Sequence, residues 1–347
     1  MIAFTYDAVD PFSEGLAAVQ KDGMWGFIDP LNTYVIQPTY ESVGRFVNGF
    51  TWVQQNGLYG FINKSGKVVI DITHEGAMEN SENLFPLRKD KKWGFKDTTQ
   101  KWKIRPIYME VRSFSEDYAG VRLRDKWGFI DTSGQERIAS IYDEVISYKE
   151  GYAAIKLGDK WGYINAEGRA QVYQQTRFDF TKPFFNGLAA IQMGGLWGYI
   201  DQNFEIVVEP QFNSAQNFSN ELARVEAKNS IKYIDPTGMP RIELDEFDVG
   251  DFSDDRAKVF KNGLYGYINK EGIMVIQPQF NQAFDFSEGL ARVQKNGKYG
   301  FINPKGQIVG LFVYDFATDF KSGMALVEQR GERFYIDRKG KKWKKSN

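Results

Sequence analysis

The 347-residue sequence has no cysteine and a single histidine, His74. The first absence excludes disulfides, thiolate metal sites and thiol nucleophiles. The second leaves no Ser-His-Asp triad and no imidazole-rich metal centre. Forty-four Lys and Arg stand against 45 Asp and Glu, a net charge of −1, so no global field draws the chain to nucleic acid or anionic lipid. No apolar run approaches the roughly 18 residues of a membrane span, and Met1–Asp7 has neither a basic start nor a sustained apolar stretch. These absences predict a cytoplasmic protein without a membrane span. What the chain has in quantity is aromatic residues, 16%, and glycine, 34 copies, with only 11 prolines. That combination predicts many short strands punctuated by turns.

An aromatic-Gly-aromatic-Ile-Asp/Asn motif, first met at Trp25-Gly26-Phe27-Ile28-Asp29, recurs along the whole sequence. Its glycine position falls at Gly26, Gly60, Gly94, Gly128, Gly162, Gly198, Lys232, Gly266, Gly300 and Phe334, steps of 34 residues with a single step of 36. A second motif precedes each copy, as in Phe12-Ser13-Glu14-Gly15-Leu16-Ala17-Ala18-Val19. Between the two lie Asp22-Gly23, Asn56-Gly57, Asn262-Gly263 or Asn296-Gly297, pairs that accept positive φ at both centres of a type I′ hairpin. Two-residue loops set Val19 opposite Gly26 and Ala17 opposite Ile28, leaving Trp25 and Phe27 on the other face. Ala holds the Ala17 position in eight of ten units, so an aromatic face of one unit is expected to pack on the small face of the next. After the hairpin, Asp/Asn-x-x-Gly predicts a turn, and Val35-Ile36-Gln37-Pro38 predicts a third strand at a sheet edge.

These residues resemble the bacterial WG-repeat family, named for its recurrent Trp-Gly pair. Trp25, Trp93, Trp127, Trp161 and Trp197 keep the signature Trp, Tyr59, Tyr265 and Tyr299 replace it, and Ile231-Lys232 and Arg333-Phe334 depart from it. The resemblance implies a β-repeat module and no common activity. The expected fold is all-β: one array over 1–347 of ten antiparallel β-meander repeats, irregular near 169–183 and ending in a basic cap over 338–347. Three strands in 34 residues favour an open solenoid or superhelix over a closed propeller-like ring, since propeller blades usually have four strands and more residues.

Chemistry is sparse. His74 takes the slot of Tyr6, Tyr40 and Tyr108 and reads as a structural substitute. The Asp/Asn row at the Asp29 position lacks the closely spaced oxygen ligands of a calcium loop and reads as turn residues. No nucleotide fingerprint occurs, and no catalytic residue, cofactor site or metal site is assigned. Trp52 and Trp102 fall outside the signature slot and are expected at the surface. Arg88, Arg122 and Lys156 occupy equivalent positions in consecutive units, as do Lys92, Lys126 and Lys160, giving two basic rows that suit an anionic partner. Ala18 and its equivalents Trp52, Arg224, Lys258 and Arg292 vary and are expected to tune a binding surface. The sequence therefore predicts a non-catalytic protein–protein interaction scaffold. The alternative is a glycan or bacterial cell-wall binding module, with a polysaccharide in place of a protein partner; nucleic acid is disfavoured by the charge balance.

Overall fold

The structure is a computed structural model describing residues 6–30, 33–165, 178–219, 221–228, 230–245 and 248–342. Each repeat is built around tight turns. Asp22 and Gly23 have φ of 52° and 77° and join the strand Ala17–Lys21 to Met24–Ile28. The register is the expected one, with Ala17 opposite Ile28 and Val19 opposite Gly26. A second turn of the same kind was not evident from the sequence: Glu14 and Gly15, φ 52° and 85°, lie between Ser13 and Leu16, which form a β-bridge. It follows a first strand of only two residues, Ala8–Val9, which pairs with Val19 and Gln20. After Asp29 the chain turns again and the fourth strand, Tyr34–Tyr40, pairs with Met24–Ile28.

The repeat is thus a four-stranded antiparallel meander in sequential order, with the long fourth strand at the edge. Ten such sheets follow one another; eight have four strands among the described residues, and the fifth and tenth have three. The two extra residues of the 36-residue step fall between Trp161 and Phe178, which still bridge. Most of that stretch, 166–177, lies outside the described residues, as do 343–347 of the basic terminus. Lys342 bridges Ile336, matching the Ile28–Tyr34 pairing of the first sheet.

The expectation of an open stack is corrected: the sheets close into a ring of ten blades. Phe27, Ala18, Ile36 and Tyr40 of the first blade pack on Val53, Ile62 and Phe46 of the second; the aromatic face meets its neighbour as expected, but on branched aliphatic residues and a second ring instead of a small Ala and Gly surface. The same contact joins the ends, where Leu326 and Tyr335 of the last blade pack on Ala17, Val19, Ile28 and Phe12 of the first. Closure leaves little trace in the sequence because a two-residue strand is too short to give a periodic signal. It supplies the fourth strand of a blade at almost no cost in chain length, since only Glu41 separates Tyr40 from the next blade's Ser42–Val43.

Buried aromatic pairs link neighbours all the way round. Phe27–Phe46, Phe95–Phe114, Phe129–Tyr148, Tyr163–Phe184, Tyr199–Phe218, Tyr233–Phe252, Tyr267–Phe286 and Phe301–Phe320 have ring centroids 4.8–5.0 Å apart. At the third blade Asn80 replaces the aromatic partner, and Phe85 stands at the usual alanine position. Phe61 then meets Phe85 at 4.8 Å, so the aromatic reaches the same contact from another strand. Such pairs contribute about 0.5–1.5 kcal/mol each beyond the area they bury.

The signature glycine has a reason other than the expected fit to a neighbouring blade. A Cβ on Gly26 would lie 2.5 Å from the carbonyl oxygen of Ile36 and 2.6 Å from the nitrogen of Pro38, both in its own blade. The fourth strand bulges over the glycine: Trp25 faces Tyr40 and Phe27 faces Ile36, so four residues on one strand span two on the other. Lys232 occupies this position in the seventh blade, and there the bulge is gone. Ile231, Lys232 and Tyr233 face Leu244, Glu243 and Ile242 in unbroken register, and Lys232 pairs with Glu243 at 2.7 Å.

Candidate interaction surface

The rows of polar residues serve the turns first. Asn63 Oδ1 accepts the N–H groups of Ser65 and Lys67 at 3.1 and 3.0 Å, and Asp131 Oδ1 those of Ser133 and Gln135 at 2.9 and 3.0 Å. Desolvation, the largest single influence, raises the Asp131 pKa, but hydrogen bonds from Ser133, Gln135 and Arg137 together outweigh it and hold the carboxyl at about 2. The Asp29 row is therefore a turn row, and among the described residues no group of three or more His, Cys, Asp or Glu is placed to hold a metal ion. His74 is buried, faces Tyr59, and sits edge-on to Trp102 at 5.8 Å. Burial, then the charge of Lys96, lowers its pKa. It is the structural substitute that the sequence indicates.

A second acidic row links blades. Glu14 accepts the Gly49 N–H at 2.8 Å, Glu116 those of Glu150 and Gly151 at 2.7 Å each, and Glu150 those of Asn186 and Gly187 at 2.8 and 2.9 Å. Each carboxylate of this row caps the corresponding turn of the following blade. No sequence signal marks it beyond the repeated Ser-Glu-Gly, because its partner lies one whole repeat away.

The two basic rows come to the surface largely paired. Arg88 meets Glu75 at 3.4 Å, Arg122 meets Glu110 at 2.5 Å, Lys160 meets Asp179 at 2.6 Å, and Lys126 meets Asp143. Lys156 lies over the Trp161 ring, 5.9 Å from its centroid. Lys126 and Lys160 reach the acid that begins the next blade; at Lys92 that acid is replaced by Met109, whose sulfur the ammonium touches. Exposed pairs of this kind contribute at most about 1 kcal/mol each.

The variable position of Ala18 is not an open surface. Ala18 is buried, and Arg224, Lys258 and Arg292 reach into the following blade to Asp251, Asp285 and Asp319 at 2.6, 3.1 and 3.0 Å. Trp52 and Trp102 are half-buried, packed against one cluster with Phe61 and Phe85, which corrects their expected exposure. The signature Trp127 and Trp161 are buried, and Trp25, Trp93 and Trp197 half-buried. Variation that does reach solvent lies on the fourth strand. Alternate residues there are exposed, and one position reads Gln37, Asp71, Arg105, Ala139, Glu209, Glu243, Gln277 and Leu311 from blade to blade.

Ten sheets in a closed ring, each packed by its aromatic face on the next, define a β-propeller of ten blades. The chain belongs to the family described as WG containing repeat, which matches at residues 1–25, 25–59, 59–93, 93–127, 127–161, 161–197, 197–230, 233–265, 265–299 and 299–332. Among solved structures it is similar to a eukaryotic initiation factor, with TM-score 0.53 and 12% identity over 85% of this chain and 94% of that one. At that identity the likeness concerns the fold alone. Hsv2 of Kluyveromyces lactis matches at TM-score 0.35 and 10% identity, over 75% of this chain and 96% of that one, too distant to add to the fold. No curated protein matches the sequence. Among the described residues no helix is long and apolar enough to cross a membrane.

Proposed function

We propose that this propeller is a non-catalytic scaffold that binds another protein through the exposed edges of its blades. The observation that carries the reading is the contrast between constant interior and changing edge. The blade interfaces repeat the same aromatic contact, whereas the exposed fourth-strand position carries Gln, Asp, Arg, Ala, Glu or Leu in different blades. A surface that varies on a rigid frame is what partner recognition requires. The glycan alternative needs flat, exposed rings; among the described residues no tryptophan is exposed, and the exposed rings, Phe180 and Phe316, lie on separate blades.

The test is capture of partners by the immobilised ring, followed by reconstitution of a direct complex from purified components, run beside a polysaccharide array read by tryptophan fluorescence. A stoichiometric protein complex with no response to glycans is the expected result. Saturable polysaccharide binding without a protein partner overturns it in favour of a cell-wall or glycan module.

A further inference from the structure

The third blade departs from the others in one region. Between Arg88 and Arg105 the sequence holds eight Lys and Arg against two Asp, Asp90 and Asp97. Its fourth strand, Trp102–Tyr108, is a sheet edge. Along it Trp102, Ile104, Pro106 and Tyr108 face inward or are half-covered, while Lys101, Lys103, Arg105, Ile107 and Met109 are all exposed. Alternate residues of a strand share a face at intervals of roughly 7 Å; the strand bulges between Ile104 and Tyr108, but the alternation of exposure continues through the bulge, so three cations and then two apolar side chains follow one another along this edge. Ile107 is 50% exposed and Met109 41%.

The cations on this line are not held in salt bridges among the described residues, although Lys103 lies close enough to Asp97 for its charge to help lower that carboxyl's pKa. Arg137 and Arg241, the counterparts of Lys103 in the fourth and seventh blades, are tied to Asp131 and Asp235, but Lys101, Lys103 and Arg105 make no ion pair with any described residue. Beside Met109, Lys92 has lost the acid that its counterparts Lys126 and Lys298 pair with. The substitution that leaves Lys92 unpaired is the same one that places an apolar side chain at the end of the line.

We propose that this edge docks an extended acidic segment of a partner protein, with carboxylates at alternate positions facing Lys101, Lys103 and Arg105 and apolar side chains on Ile107 and Met109. The inference rests on the scaffold reading and names the partner's chemistry. A peptide in extended form has the same two-residue period as the strand, and the edge offers backbone groups that no further strand of its sheet pairs. Charge complementarity fixes the sign of the partner. The two apolar residues, and the absence along this edge of an exposed aromatic to stack a base, favour a peptide over a nucleic acid.

The probe is a fluorescein-labelled peptide, Glu-Thr-Glu-Thr-Glu-Thr-Leu-Thr-Leu, titrated with the full chain and read by anisotropy. Controls are the Gln-for-Glu peptide, a single-stranded oligonucleotide of equal charge and light scattering of the chain alone. Saturable binding that weakens with salt is expected, with at least a tenfold loss in Lys103→Glu/Arg105→Glu and a several-fold loss in Ile107→Ser. Gln277→Glu, the same edge position in the eighth blade, leaves binding unchanged. Each substituted side chain is exposed, so folding of the variants is expected and is checked by circular dichroism. Equal binding by the charge-reversed variant, tighter binding of the oligonucleotide, self-association through this edge, or no binding at millimolar peptide overturns the proposal. A reconstituted partner complex indifferent to Lys103→Glu/Arg105→Glu overturns this edge alone, whereas the absence of any protein partner overturns the scaffold reading itself.

Discussion

Phe12 and Tyr335 lie with ring centroids 4.4 Å apart at an interplanar angle of 62°, joining the first blade to the last with the pair used at every other interface except that of the second and third blades. At the seam, the Tyr335 hydroxyl is buried without a hydrogen-bond partner among the described residues. Tyr199 and Tyr267 donate to the carbonyl groups of Gln216 and Phe284 at 2.6 and 2.7 Å. The seam is therefore the same interface with one bond fewer, and an unpaired buried hydroxyl costs about 1–3 kcal/mol.

Tyr335→Phe removes that hydroxyl while keeping the ring contact. We expect unchanged or slightly raised stability in urea unfolding, whereas Tyr267→Phe, which breaks a made bond, lowers it by about 1 kcal/mol. Equal losses at both positions would refute the account of the seam. Small-angle X-ray scattering of either variant gives a compact disc, not the long profile of ten sheets stacked at about 10 Å.

The bulge over the signature glycine makes a contrast between blades. A Cβ on Gly60 would lie 2.5 Å from the Ile70 carbonyl oxygen and 2.8 Å from the Ile72 backbone. Gly60→Ala is expected to lose about 1–3 kcal/mol through forced backbone displacement. Lys232→Gly meets no such wall, and its loss is confined to strand flexibility and one partly exposed ion pair, about 1 kcal/mol. Denaturant midpoints of the two variants measure the difference.

Asn80 and Phe85 are a compensated exchange. Phe85→Ala leaves the Phe61 ring facing a void and costs about 3–5 kcal/mol. Adding Asn80→Phe restores the aromatic from the position where Phe46 and Phe114 already hold it. The double variant is expected to recover most of the loss, giving a coupling energy of at least about 1 kcal/mol in a double-mutant cycle. Additive losses would show that the two sites do not share one space.

His74 gives the ring an acid sensitivity. Its pKa is lowered by burial from 6.5, so the unfolded chain takes up the proton first. The stability linked to this group is complete above about pH 6.5 and is lost as pH falls toward the folded-state value. His74→Tyr, which installs the residue found at Tyr40 and Tyr108, is expected to flatten the stability profile just below pH 6.5 with little change at pH 8. An unchanged profile would place the sensitivity elsewhere.

Local interactions left readable marks. The dipeptide Asp22-Gly23 specified its turn, the two-residue loop then specified that Val19 faces Gly26, and the Asp29 row specified the following turn, because each depends on residues within a few positions of one another. Contacts across blades left weaker marks. The carboxylate of Glu14 finds the Gly49 amide, and Arg224 finds Asp251, at separations of 35 and 27 residues. A charge in the sequence does not announce whether its partner is solvent or the next blade. For this reason Arg88 and Arg122 read as free cations and proved to be paired, while Lys101, Lys103 and Arg105 passed unnoticed.

The sequence by itself determined the repeat, its count of ten, the all-β class and the packing of an aromatic face on the neighbouring unit, since these follow from periodicity and side-chain alternation. Only the tertiary structure decided between stack and ring. The rotation from one blade to the next is set by how Phe27 seats on Phe46 and by the two-residue first strand. Ten such steps sum to a full turn only when every interface is packed, which brings Tyr335 back to Phe12.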